Sequence, residues 1–150
     1  MHRLFIALAI AVLAAAPASA TDKTEVMGVV HLWVYSFNKG DLKAMAATCT
    51  DDAAIIDDFP PHEWHGSGAC ARWSSDFEAF VKSGDDTERV VTVGKPWHLD
   101  VTADRAYVVA PTTYSYKAKG KPVLEKGIVT VALQKGAVGW RITGWAWADH

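Results

Sequence analysis

The spacing of apolar residues changes near the middle of the chain, and this change constrains the fold most. Before Lys82, apolar residues recur every three or four positions, as they do on one face of a helix. From Arg89 onward they alternate with polar residues, as they do in strands with one buried face. A run of helices followed by a run of strands predicts an α+β domain, with the helices on one face of a bent antiparallel sheet.

Three helices are predicted in the first part, over residues 23–37, 42–48 and about 69–82. Gly40 and Asp41 separate the first two. Glycine accommodates the left-handed turn that ends one helix, and the aspartate side chain accepts hydrogen bonds from the free amides of the next.

The remaining apolar segments are predicted to be strands. A short strand over residues 53–57 lies between the second and third helices, and Pro60-Pro61 ends it because proline has no N–H to donate. Further strands are predicted over residues 89–93, 97–101, 106–117, 123–133 and 140–149. Short turns between strands indicate antiparallel pairing. The predicted sheet curls around the helices as a cone, with a cavity at its wide end.

The first twenty residues resemble a signal peptide. A short basic start precedes an apolar run from Leu4 to Ala15, and Ala18-Ser19-Ala20 has the small residues of a cleavage site. We therefore expect an exported protein, periplasmic or secreted, whose mature domain is residues 21–150 and which has no membrane segment after cleavage. The net charge of −2 gives no indication of nucleic-acid binding.

Two cysteines, Cys49 and Cys70, lie on predicted core faces. Export would bring them into an oxidising compartment, where such a pair can form a disulfide. Two buried free thiols are the alternative, and the sequence leaves both open.

Four short segments carry a resemblance to a known family. They are Phe37-Asn38-Lys39-Gly40-Asp41-Leu42, Asp51-Asp52-Ala53 before a short strand, Gly66 before the third helix, and Gly139-Trp140-Arg141-Ile142 on the last strand. In this order and spacing they resemble the nuclear transport factor two-like superfamily, and within it the polyketide-cyclase-like (SnoaL-like) and ketosteroid-isomerase-like branch. The resemblance covers essentially the whole mature chain. It implies the cone fold but not one activity, because this fold serves many functions.

The steroid isomerases in this branch imply roles for three positions. Their catalytic base corresponds to Asp57 here. Their tyrosine donor corresponds to Trp33, whose indole N–H could replace the phenol, and their protonated aspartate corresponds to a position near Val129, where there is no acid. One of three roles is retained, so steroid isomerisation is not expected.

The residues themselves indicate acid/base chemistry at the end of the short strand. A carboxyl group such as Asp57 in an apolar cavity has a raised pKa and can transfer protons near neutral pH. His62 and His65 are candidate acid/base partners, with ordinary solvated loop histidines as the alternative. These two histidines and Asp57 or Asp58 could also be metal ligands. We expect no metal, because the spacing is in a proline-led loop and no third cluster is evident.

Aromatic residues are abundant, with seven tryptophans in the chain. Aromatic walls with a few polar groups are typical of small-molecule sites. The predicted pocket residues are Trp33, Asp58, Trp73, Phe77, Tyr114, Tyr116 and Trp145. The predicted ligand is an apolar small molecule, with no cofactor.

Two functions are consistent with this pattern. The first is a proton-transfer enzyme, like an isomerase, cyclase or dehydratase, that uses Asp57. The second is a non-enzymatic binding module, with a vestigial or carrier pocket and a homodimer formed through the open sheet face.

Overall fold

The computed structural model describes residues 20–149, so the predicted signal peptide lies outside the described residues except for Ala20. In order, the elements are α1 (Ala20–Asn38), α2 (Leu42–Ala47), β1 (Cys49–Ile56), β2 (Glu63–Trp64), α3 (Ala69–Gly84), β3 (Asp86–Val93), β4 (His98–Thr102), β5 (Arg105–Ala118), β6 (Lys121–Gly136) and β7 (Gly139–Asp149). Within residues 20–149 there is no helix with the length and apolar character needed to cross a membrane.

The predicted α+β architecture is confirmed. Seven strands form one curved, unclosed sheet in the order β2-β1-β7-β6-β5-β3, with β4 also paired to β5. Helix α1 packs against β3 and β7, and α3 packs against β1. The inner face of α1 is the predicted apolar stripe, with Val26 and Val30 fully buried and Trp33 7% exposed.

The prediction of an entirely antiparallel sheet is wrong in one place. Strand β1 pairs with β7 in parallel, with Ile55 opposite Trp145. Parallel neighbours need a long connection, and here nearly the whole remaining chain provides it. Short turns connect β5, β6 and β7, and these strands are antiparallel as predicted. No short turn connects β1 to β7, so the turns carry no information about the direction of that pair.

The strand positions differ from prediction in two smaller ways. Strands β3 and β4 do not pair with each other. Both pair with β5, β3 over residues 112–118 and β4 over residues 105–109. The two-residue strand β2, predicted as loop, pairs with the end of β1.

Two glycines allow close approaches that place the site. A Cβ at Gly144 would lie 2.7 Å from the carbonyl oxygen of Ala54, so glycine here lets β7 approach β1. A Cβ at Gly127 would lie 2.4 Å from the ring of Trp147, so that ring lies directly over β6. Contacts this short are impossible for a real Cβ, and a larger residue would move the strand or the ring.

A disulfide joins Cys49 to Cys70, with their Cα atoms 6.5 Å apart, and no free cysteine remains among residues 20–149. Of the two alternatives that the sequence left open, the structure has the bridge. It connects the start of β1 to the first turn of α3. The two elements on either side of the candidate site are therefore covalently linked.

Candidate functional site

A cavity of about 250 Å³ lies between the helices and the inner face of the sheet. Its walls come from α1, α3, the β1–β2 loop and the inner faces of β3, β5, β6 and β7. Most of the lining is aromatic or aliphatic. The volume suits a small molecule of one to three rings and lies just below the usual range for ligand sites, about 300–1,000 Å³.

Each residue that the sequence predicted for the pocket lines this cavity: Trp33, Asp58, Trp73, Phe77, Tyr114, Tyr116 and Trp145. The sequence reading missed several others, chiefly Phe37, Phe59, Phe80, Asp86, Glu125 and Trp147. For Glu125 a signal was present, because it shares its strand face with the buried residues Gly127 and Val129. The other additions depend on how the loop and the helices close over the sheet.

Asp57 also lines the cavity, one residue after the end of β1, and it is 9% exposed. Both carboxylate oxygens accept hydrogen bonds. The indole Nε1 of Trp73 donates to Oδ2 over 2.8 Å, and the backbone N–H of Asp58 donates to Oδ1 over 2.9 Å. Among residues 20–149 it is the one carboxyl group that is buried.

Burial raises the pKa of Asp57 from 3.8 to about 7. The hydrogen bonds from Trp73 and from the Asp58 amide oppose this rise, because they stabilise the charged form. The negative charge of Asp58 adds to it. The protonated and ionised forms of Asp57 are therefore both populated near neutral pH, which a general acid or base requires.

The two histidines lie outside the cavity. His62 and His65 are exposed, and neither is part of the cavity lining. The Nδ1 atom of His62 lies 3.3 Å from the backbone carbonyl oxygen of Asp57, not from its carboxyl group. The backbone of this tight loop explains the placement, because the His62 amide donates to Phe59 and its carbonyl accepts from Asp57. The structure gives no geometric support for an acid/base role of either histidine.

No group of three His, Cys, Asp or Glu side chains within residues 20–149 is arranged to hold a metal ion. Asp57 and Asp58 line the cavity without His62 and His65.

Four polar groups in the cavity lining are buried and have no hydrogen-bond partner among the described residues. They are the indole Nε1 atoms of Trp33 and Trp145, the Thr112 hydroxyl and the Tyr114 hydroxyl. The two indole rings are neighbours, with centroids 5.1 Å apart, and an indole N–H can only donate. A buried donor without a hydrogen-bond partner costs free energy. A bound acceptor atom would satisfy them.

Three further carboxyl groups, which we call the acidic rim, line the cavity where it meets solvent. They are Asp58, Asp86 and Glu125, and all three are partly or largely exposed. The Tyr116 hydroxyl donates to Glu125 over 2.7 Å. Partial burial raises the pKa of Glu125, and the negative charges of Asp58, Asp149 and Asp86 raise it further.

The contact between Trp73 and Asp57 gives a direct prediction. Replacing Trp73 by phenylalanine removes the N–H that stabilises the ionised carboxyl, so the pKa of Asp57 should rise further, by about one pH unit or more. A ¹³C NMR titration of the Asp57 carboxyl group would measure it.

Trp64→Phe is the matched control, because the Trp64 indole donates to Asp76 over 2.8 Å and does not line the cavity. An unchanged midpoint in Trp73→Phe, or the same rise in both variants, would contradict the assignment.

A curved sheet around three helices, with an aromatic cavity and a buried carboxyl group at the end of β1, defines a class of small cone-shaped domains. The SnoaL-like domain model matches residues 26–146, and the chain belongs to that family. The resemblance noted from the sequence is thereby confirmed. No curated protein matched the sequence significantly.

Solved structures agree on the fold. A ketosteroid isomerase-like protein from Erwinia carotovora atroseptica superposes with a TM-score of 0.70 at 18% identity, covering 87% of this chain and 98% of the other. An NTF2-like superfamily protein from Salmonella enterica superposes with a TM-score of 0.72 at 16% identity, covering 88% of this chain and 93% of the other. An NTF2-like protein from Novosphingobium aromaticivorans superposes with a TM-score of 0.72 at 14% identity, covering 86% of this chain and 82% of the other. At such identities the similarity shows the fold alone.

Proposed function

We propose that the protein binds an apolar small molecule in this cavity and that Asp57 takes a proton from this molecule and then returns it. The observation that carries the proposal is the environment of Asp57: a buried carboxyl group in an aromatic cavity, with its pKa raised to about 7. Such a group is half ionised at the pH where most enzymes work, so it can both accept and return a proton.

The unpaired donors support the same reaction. If the ligand carries a carbonyl group, the indole N–H groups of Trp33 and Trp145 can donate to its oxygen. The carboxylate of Asp57 then takes a proton from the adjacent carbon, the electron pair moves to the carbonyl oxygen, and the donors stabilise the charge that develops there. The protonated Asp57 returns the proton to the same or another carbon. Return of the proton to another carbon completes an isomerisation. In a cyclisation the enolate carbon would instead attack a second carbonyl carbon of the ligand, and the protonated Asp57 would give its proton to the alkoxide oxygen that forms.

A carrier is the second candidate function, and one observation favours it. Asp57 is the one buried carboxyl group among residues 20–149, and neither His62 nor His65 lines the cavity, so Asp57 has no buried carboxyl or imidazole partner for proton transfer. In that role Asp57 would serve as a hydrogen-bonding group only.

Hydrogen exchange in a simple ketone would separate the two functions. We expect bound 1-tetralone to quench the tryptophan fluorescence of the protein. We also expect the protein to catalyse deuterium incorporation at the carbon beside the carbonyl group of 1-tetralone, in D₂O near neutral pD. Asp57→Asn should reduce exchange to the rate in buffer while retaining binding. The control Asp52→Asn changes an exposed acid that does not line the cavity and should keep the exchange rate of the unmodified protein. Binding without exchange in the unmodified protein would establish the carrier and refute the enzyme, and absence of both would refute the proposal.

Dimerisation through the sheet face stays a prediction. Its support is the outer face of the central strands, which carries half-buried uncharged residues such as Thr113, Thr130, Ala132 and Ala146. Sedimentation equilibrium would test it, and a monomer at high micromolar concentration would contradict it.

Export likewise stays a prediction. The disulfide supports it, because such bonds persist in oxidising compartments, and a mature protein that does not begin near Thr21 would contradict it.

A further inference from the structure

We infer that the ligand is an amphiphilic organic cation: a ring-containing apolar body with a hydrogen-bond acceptor at its buried end and a protonated amine at the acidic rim. The inference rests on the proposed use of the cavity for a small molecule with an apolar body, and it adds a positively charged group at the outer end of that body.

The charges of the acidic rim have no counterpart in the protein. Asp58, Asp86 and Glu125 come from the β1–β2 loop, β3 and β6, so the fold brings them together from distant parts of the chain. None of the three forms an ion pair within the part of the chain that the structure describes. Partial burial raises the pKa of Glu125, and the negative charges of Asp58 and Asp86 raise it further, as expected for acids that repel one another.

Nearby cations are engaged elsewhere. Lys117 pairs with Glu88 over 2.6 Å, and Arg89 pairs with Glu78 over 3.0 Å. Neither Lys117 nor Arg89 lines the cavity.

Arg89 lies behind the cavity wall, with its guanidinium 5.6 Å from the ring centroid of Phe77; burial raises the pKa of Tyr114 and the Arg89 charge lowers it. Glu78 offsets that charge, so three carboxyl groups without an ion pair face the incoming ligand and favour a cation over an anion.

Aromatic rings lie beside the rim. Tyr114 and Tyr116 are stacked, with ring centroids 4.8 Å apart, and both line the cavity. The face of an aromatic ring attracts a cation, more strongly where water is partly excluded. The same wall therefore serves the apolar body and the charged end of the ligand.

The buried end of the cavity fixes the orientation. Trp33, Thr112 and Trp145 are 7%, 4% and 5% exposed, and a polar atom of each has no partner among residues 20–149. Two of these groups are indole N–H donors, which cannot satisfy a cation but can satisfy an acceptor oxygen. The acceptor thus belongs at the buried end and the amine at the rim.

Three matched probes test the inference: 2-acetylnaphthalene carrying an aminomethyl, a methyl or a carboxyl group at position 6. All three share the ring body and the acceptor oxygen and differ in the charge at the outer end. We expect the ammonium probe to bind roughly tenfold more tightly than the methyl probe, and the carboxylate probe to bind most weakly. The ammonium preference should decrease in 0.5 M salt, because ions screen exposed charges.

The rim variant Asp58→Asn/Asp86→Asn/Glu125→Gln should lose the preference and still bind the methyl probe. A control of equal net charge, Asp52→Asn/Glu63→Gln/Asp100→Asn, changes acids that do not line the cavity and should keep the preference. Equal binding of the ammonium and methyl probes, or a preference that survives in the rim variant, would overturn the inference and leave the proposed function intact. Failure of all three probes to bind would refute both.

Discussion

Asparagine in place of Asp57 should make the protein more stable than the unmodified protein at pH 8, and the advantage should disappear toward pH 4. The folded-state pKa of Asp57, about 7, exceeds its ordinary value of 3.8. Between these values the folded protein binds more protons than the unfolded chain, so the free energy of unfolding decreases as pH rises. Over the whole interval between these two pKa values, the free energy of unfolding decreases by about 4 kcal/mol at most. Asparagine has no proton to lose and therefore stays neutral over this pH range, and its side-chain oxygen can still accept a hydrogen bond from Trp73.

Urea unfolding of both proteins at pH 5, 6, 7 and 8 would measure the effect. The difference in free energy of unfolding should grow with pH and level off above about pH 7.5. Asp52→Asn is the control, because Asp52 is exposed, does not line the cavity and should show little of this trend. A difference between Asp57→Asn and the unmodified protein that stays constant from pH 5 to 8 would mean that Asp57 is ionised throughout.

Reduction of the disulfide should lower the free energy of unfolding by about 3 kcal/mol, since the bridge restricts the unfolded chain over a loop of about 20 residues. Cys49 and Cys70 are 21 positions apart in the sequence. Urea unfolding with and without a phosphine reductant would measure the loss. The variant Cys49→Ala/Cys70→Ala should already be weakened and should not respond to the reductant. An unmodified protein that contains two free thiols before reduction would contradict the bridge.

The disulfide also bears on the site. Trp73 lies one turn after Cys70 on α3, and Asp57 directly follows the strand that Cys49 begins. The covalent link thus holds the two elements that carry the Asp57–Trp73 hydrogen bond.

The elements that could be predicted from sequence are those whose signals are local. The periodic stripe of α1, the Gly40–Asp41 break and the alternation along β5 and β6 are all found in the structure. The Asp41 side chain caps α2 by accepting from the Ala44 amide over 2.9 Å. The parallel pairing of β1 with β7 could not be predicted in this way, because it depends on contacts between residues about 90 positions apart.

Within the site, too, the features with a local sequence signal could be predicted, and those that depend on contacts between distant residues could not. The cavity position of Asp57 follows from its place after β1, but its partner Trp73 depends on how α3 approaches that strand. His62 and His65 were selected because they are near Asp57 in sequence, and a tight loop backbone places both outside the cavity. Asp86 and Glu125 were overlooked because their convergence with Asp58 depends on the curvature of the sheet.

The proposed proton transfer requires that Asp57, although buried, gains and loses a proton near neutral pH. A ¹³C NMR titration of the aspartate carboxyl groups, with the Asp57 signal assigned by its absence in Asp57→Asn, tests this claim most directly. The structure predicts a midpoint near pH 7 for that signal. A midpoint near pH 4, the ordinary value for an aspartate, would contradict the claim.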